Sequence, residues 1–349
     1  MSRLRFPYVI AAVAALVATS LLLAACGGDS SDKSGESPQT VLDEATLQGI
    51  ESGAIDLTLA LAAPGNEGGN VEVSLSGPFQ GEGQGSLPQA DMTAKADGTY
   101  EGEKVDFEGG IVLLPNSAYV NYEGIEYEVD PTTFSFVEQT LKQAQREGGA
   151  ESGSAGAAAC QEEFGKLKVG DFLADGANEG AAEVGGESTT KVSGELEVSA
   201  AIDAVLEVVE SQACRTQLAA AGPLPSAAEI ESAKEEVGNS VKSARVDVYV
   251  GDDDIVRQIS MQLTIEPQKG GSGPSKVDLD IDLKLTGVNE EQQISAPENA
   301  RPLSKLFLKL GVNPIELLGL LQGEGGGEGL GELFEGLGVP GVPGGSSAG

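Results

Sequence analysis

The sequence predicts an α+β protein built on one curved antiparallel β-sheet with helices on one side of it. Three observations lead there. Short runs in which apolar residues alternate with smaller or polar ones recur along residues 55–129 and again along 244–285, each bounded by turn-forming residues. Between these blocks apolar residues fall mostly at helical spacing, interrupted by one further stretch of strand. About 250 residues separate a polar N-terminal stalk from a Gly-rich tail, which suits a single domain.

Taken in order, residues 39–51 carry Val41, Leu42, Ala45, Leu47 and Ile50 as a short amphipathic helix. Ile55, Leu57, Leu59 and Leu61 then alternate with smaller or polar residues, and Val71, Val73 and Leu75 repeat the pattern after Pro-Gly-Asn-Glu-Gly-Gly. Strands at 92–96, 105–107, 111–114, 118–122 and 125–129 follow closely enough to predict an antiparallel meander. Asp130-Pro131 opens a helix over 131–147, with Phe134, Val137, Leu141 and Ala144 on one face. A Gly/Ser/Ala insert spans 148–157, and a short helix covers 160–167. Residues 184–198 return to strand, 199–220 are helical, and a second helix follows Pro225. Three strands close the core at 244–250, 255–265 and 276–285, the first two joined by the turn Gly251-Asp252-Asp253-Asp254. A helical segment is expected over 303–321, and the Gly/Glu-rich residues 322–349 are expected to be disordered.

The N-terminus is read as an export signal. Arg3 and Arg5 precede a run from Tyr8 to Leu23 broken only by Thr19 and Ser20, shorter than the roughly 20 residues a spanning helix needs. Leu23-Ala24-Ala25-Cys26 resembles a bacterial lipobox in every position, so residues 1–25 are expected to be removed and Cys26 to carry a diacylglycerol thioether. The alternative is an uncleaved single-pass anchor; both place residue 27 onward outside the cytoplasm. Two acyl chains hold stably where one is marginal. Residues 27–38 hold no apolar side chain and are expected to form a flexible stalk.

The net charge is −34, and loss of Arg3 and Arg5 with the leader makes it −36. Such a chain is repelled by nucleic acid and by anionic headgroups, so the lipid has to supply the membrane attachment. Cys160 and Cys214 read as a disulfide in an exported chain, with two free thiols as the alternative. There is no His, which removes the commonest general base and metal ligand and argues against an enzyme. Asp278, Asp280 and Asp282 have the first spacing of a calcium loop. Leu283 and Asn289, however, stand where its Gly and Glu belong, and the interleaved aliphatics make this a strand with a wet face. No catalytic residue, metal site or cofactor is assigned.

The aliphatic positions of the sheet are the informative feature. Ile55, Leu57, Leu59, Val71, Val73, Leu75, Ile111, Leu113, Val246, Val248, Ile259, Met261, Leu263, Val277, Leu279 and Ile281 are predicted to face inward. They form either an ordinary core under helices or the lining of an apolar cavity for acyl chains.

Four stretches resemble the LppX/LprAFG group of bacterial lipoproteins, which share a half-barrel with the carrier LolA. They are the opening helix and long strand of 42–61; residues 113–131, a strand–turn–strand ending in Asp-Pro; Thr189-Thr-Lys-Val-Ser-Gly194; and the closing strands of 246–265 with the turn of 289–297. Tyr127 stands where relatives often have Trp, and the 148–157 insert, the cysteine pair and the long tail depart from the pattern. The resemblance implies a half-barrel over 39–302 with helices on its concave side, closing over an apolar cavity. It also implies binding and carriage of a lipid or acylated glycolipid at the outer face of the cell membrane, by a monomer that meets an envelope transport protein. A non-transporting envelope scaffold or sensor on the same fold is the alternative.

Overall fold

The computed structural model describes residues 33, 35–64, 68–81, 87–100, 102–135, 138, 160, 163, 169–212, 214–215, 238–266 and 274–310. Its centre is a curved, unclosed sheet of twelve strands: β1 (Ser52–Ala63), β2 (Gly69–Gln80), β3 (Gln89–Tyr100), β4 (Glu103–Leu114), β5 (Ser117–Tyr122), β6 (Ile125–Glu128), β7 (Leu173–Val184), β8 (Glu187–Leu196), β9 (Val241–Gly251), β10 (Val256–Ile265), β11 (Val277–Thr286) and β12 (Arg301–Pro302). The spatial order is β12-β6-β5-β4-β3-β2-β1-β11-β10-β9-β8-β7. Two antiparallel meanders, β1–β6 and β7–β11, are therefore joined edge to edge where β1 pairs with β11. Three helices, α1 (Pro38–Glu44), α2 (Val198–Glu210) and α3 (Ser304–Leu310), and a 3₁₀ turn at Val169–Phe172 complete the labelled elements.

Local chemistry explains the boundaries. Ser37 caps α1 by accepting from the Thr40 amide at 3.1 Å, with Pro38 in the first turn. The sequence pattern runs this helix to residue 51, but it ends at Glu44, because Thr46 is held by β10. The Thr46 amide donates to the Asp254 carbonyl, and the Thr46 carbonyl accepts from Val256, both at 2.9 Å. Asp130 caps the helical turn that begins at Pro131, accepting from the amides of Thr132 and Thr133 at 3.1 and 3.0 Å.

Three further expectations are corrected. The strands expected at 105–107 and 111–114 are one continuous β4. Its Gly109-Gly110 is not a break: a Cβ on Gly109 would meet the Phe107 ring at 2.8 Å, and one on Gly110 the Met92 carbonyl at 2.6 Å, so glycine permits close packing. The strand expected over 184–198 is β8 alone, and β7 precedes it; Leu-Ala-Asp-Gly-Ala-Asn-Glu-Gly-Ala-Ala-Glu-Val offers few β-formers to mark it. Arg301-Pro302, expected to lie outside the sheet's strands, pairs parallel with Tyr127-Glu128.

The sheet ends are managed differently. Edge strand β6 is partly covered by β12, with the Leu303 amide donating to the Glu128 carbonyl at 2.8 Å. Edge strand β7 carries register shifts at 174–177 and 178–180. The N-terminal segment lies against it: Asn178 donates its side-chain amide to the carbonyls of Lys33 and Glu36 at 3.0 and 2.9 Å. Lys33 is 1% exposed, its ammonium between Glu44 at 3.5 Å and Asp254. These residues belong to the segment expected to be a flexible stalk; a buried ammonium and two captured carbonyls hold them instead.

Candidate functional site

Paired residues on neighbouring strands share a face. One row of pairs reads Val248, Ile259, Leu283, Leu57, Leu75, Ala94, Gly109 and Tyr122, crossing eight strands from β9 to β5. The next reads Val246, Met261, Ile281, Leu59, Val73, Ala96 and Phe107. A third carries Leu263, Leu279, Leu61 and Val71. Ile55 opposes Leu285, Val277 opposes Ile265, Ile111 opposes Met92 and Leu113 opposes Ala90. All sixteen residues predicted to face inward thus share one continuous apolar face. Phe107, Leu283 and Leu285 share that face and stand outside the sixteen predicted residues, although the same alternation runs through them.

The opposite face is mostly polar, apart from the buried pair Val112 and Tyr119 on β4 and β5. Asp278, Asp280 and Asp282 lie there, and Thr264 donates to Asp278 at 2.8 Å while Gln258 and Ser260 donate to Asp282. The hydrogen bond from Lys276, then that from Thr264, holds the Asp278 carboxyl below its ordinary range. Among the described residues no group of three or more acidic or thiol side chains is placed to hold a metal ion.

Cover over the apolar face is uneven. At the β8–β10 end Val192, Val246, Val248, Val250 and Val256 are buried beneath Val41 and Leu42 of α1. Ile55, Leu57, Leu283 and Leu285 form a second buried cluster, flanked by Leu47, Ile50 and Phe79. Leu59, Met261, Leu279 and Ile281 are only half-buried. Farther on, Val73 is 40% and Ile111 53% exposed. Small residues, Ala94, Ala96, Gly98 and Gly109, fill the same face of β3 and β4, so this side is shallow in side chains as well as open.

The buried half is fastened at one rim by Arg257. Its side chain is 7% exposed and donates to Glu187 at 2.6 Å, to Asp253 at 2.9 Å and to the Ile255 carbonyl at 3.1 Å; Glu187 in turn accepts from the Gly287 amide at 3.2 Å. Burial pushes the guanidinium pKa down, but the bonds to Asp253 and Glu187 outweigh it and the net shift is upward. Cys160 and Cys214 are joined in a disulfide with 4.5 Å between their Cα atoms. That bond closes a loop containing β7, β8 and α2. Cys26 and the leader lie outside the described residues, as do most of the helices expected over 131–147 and 160–167, the end of the helix expected over 199–220, the helix expected after Pro225, the latter part of the segment expected over 303–321 and the C-terminal tail.

Two clefts accompany the sheet. One, of about 520 Å³, lies where β8 enters α2 and β9 begins, lined among others by Glu195, Glu197, Asp203 and Lys242. The other, of about 360 Å³, lies between the β1–β2 and β3–β4 turns, against Ala63, Asn70 and Thr99. None of the sixteen apolar residues lines either, so the candidate site is the half-open apolar face itself.

No family model matches the chain, and no curated protein does. Among solved structures it is similar to LprF from Mycobacterium bovis, at 13% identity over 77% of this chain and 99% of that one, with a TM-score of 0.34. It is also similar to the lipoprotein LppX of Mycobacterium tuberculosis, at 11% identity over 74% and 98%, TM-score 0.28. A DUF1329 family protein from Desulfovibrio piger follows at 9% identity over 76% and 96%, TM-score 0.18. The first two names belong to the group that the four sequence stretches resemble. At these TM-scores the likenesses add nothing to the geometry of the face.

Proposed function

We propose that this chain is an extracytoplasmic lipoprotein, cleaved before Cys26 and anchored there by acyl chains, that binds and carries a lipid or acylated glycolipid on its apolar sheet face. The observation that supports this reading is the continuous aliphatic face running from β9 to β5, closed at one end and left open around Val73 and Ile111. Covering a 16-carbon acyl chain removes about 15 methylenes from water at ~0.8 kcal/mol each, enough to exceed a typical association cost only when most of the chain is enclosed. No described helix is long and apolar enough to cross a membrane. In this reading the lipobox cysteine, Cys26, supplies the membrane attachment.

Solvent extraction of protein purified from membranes, followed by mass spectrometry, tests the ligand. Ile111→Asp should lower the lipid recovered and the uptake of a fluorescent fatty acid while leaving the fold intact. Lipid-free extracts together with no uptake by the native chain would end the carrier reading. The clefts lie away from the apolar residues, and that openness equally suits a protein partner. An envelope protein crosslinked to a photoreactive group at Ile111, with no lipid present, would select the scaffold alternative.

A further inference from the structure

The N-terminal segment fixes which end of the sheet can look toward the membrane. Lys33 is buried beside Asp254, in the turn between β9 and β10, and Asn178 holds the carbonyls of Lys33 and Glu36. The held part of the chain therefore reaches at least as far as Lys33, beyond the start of α1. Seven residue steps separate Cys26 from Lys33, and they span at most about 25 Å. β9 holds 11 residues, a length of about 35 Å. A body standing with the Val241 end of β9 on the bilayer would lift the Asp254 turn about 35 Å, beyond the reach of that leash. Had the leash run to α1, its twelve steps would span about 40 Å and allow this pose.

From this we infer that the rim carrying the Gly251–Ile255 turn is the membrane-facing surface of the protein, its partner being the bilayer that holds the anchor. The clamp of Lys33 on Asp254 and Glu44, with Asn178 on the backbone, is an orientation device. It forbids inversion while still letting the body tilt. Asp252, Asp253 and Asp254 at this rim keep it standing off anionic headgroups instead of adsorbing to them. The inference rests on the proposed acylation of Cys26.

The test uses full-length acylated protein in phosphatidylcholine vesicles containing a rhodamine-labelled lipid as acceptor. A donor dye is placed at Asp252→Cys or at Ser243→Cys, two exposed sites on the same hairpin. Flotation reports the anchor, and energy transfer reports the orientation. Transfer from position 252 is expected to exceed that from 243 by about twofold or more, because the sites stand about 30 Å apart along β9. Inserting about ten Gly/Ser residues after Ser30 lengthens the leash without touching the folded body, and should bring the two signals together. Lys33→Ala with Asn178→Ala should do the same. Protein that floats but transfers equally or better from 243 overturns the orientation and leaves the lipoprotein reading standing. So does a difference that survives the insertion. Protein that does not float overturns the acylation, and the orientation with it.

Discussion

The two halves of the apolar face are built from the same alternation and end in different states. From β8 through β11 to β1, β-branched and leucine side chains meet α1 and one another, and Val192, Val250 and Leu285 are essentially sealed from water. From β2 to β5 the face continues in register, but Ala and Gly take many of its positions on β3 and β4, and Val73 and Ile111 stand open. The first half is stabilised as any core is, by area removed from water and by dense packing. The second keeps its apolar surface partly wet, which a folded chain leaves uncovered where something else is to cover it. Alternation alone distinguishes inside from outside. Which inside is filled depends on elements that arrive from elsewhere in the chain.

The contrast can be broken, most severely at the crosslink. Cys160→Ser with Cys214→Ser opens a loop of 54-residue separation around β7 and β8, and should cost about 4 kcal/mol in the chain-entropy model. Denaturant titration with and without reductant measures it; an unchanged midpoint would mean that the closed half owes nothing to the bond. Next in size, Leu285→Ala should cost about 3 kcal/mol by leaving a cavity in the sealed half, whereas Ile111→Ala should cost well under 1 kcal/mol. Equal losses from the two truncations would erase the distinction between the halves. Arg257→Met should cost roughly 2–3 kcal/mol, because Glu187 and Asp253 lose their partner at the rim of the sealed half; their own partial exposure limits the damage.

An effect smaller than those in the sealed half lies beyond β6, on the open side. Asp130→Ala should cost about 1 kcal/mol through the lost helix cap. Thr133, first through its hydroxyl and then its amide, holds the Asp130 carboxyl below its ordinary value. A group depressed in the folded state stabilises above its unfolded pKa and loses that contribution as pH falls through the folded one. The native chain should therefore approach the variant's stability as the solution is acidified below the ordinary carboxylate range. A gap between them that widens on acidification would contradict the cap.

Much of this was readable from residue order. β1, β2 and β9–β11 announce themselves by alternation, which is local, and Asp130-Pro131 marks its helix start through local hydrogen bonds. The pairing of β1 with β11 is not local, since no short-range pattern says that Leu57 will oppose Leu283. β7 escaped because its alternating positions hold Ala, Gly and Glu, which carry little hydrophobic contrast. The Arg257 fastening joins Glu187, Asp253 and Gly287, three residues no spacing rule connects. Lys33 sits in a run composed like a linker, and only a tertiary pocket for its ammonium and carbonyl distinguishes it from one.

The irregular outer strand β7 has a consequence for company. A sheet with two ends offers two rows of unmet amides and carbonyls, and identical sheets held side by side tend to stack along them. Anchoring as proposed would confine these molecules to a plane and raise their encounter rate far above that in solution, where even weak edge pairing becomes persistent. The shifts at 174–177 and 178–180, the left-handed Asp175 and the N-terminal segment on Asn178 spoil one edge as a template; β12 shortens the other. Crowding on a surface would then leave the molecules as neighbours, each free to turn, and not as a fibre.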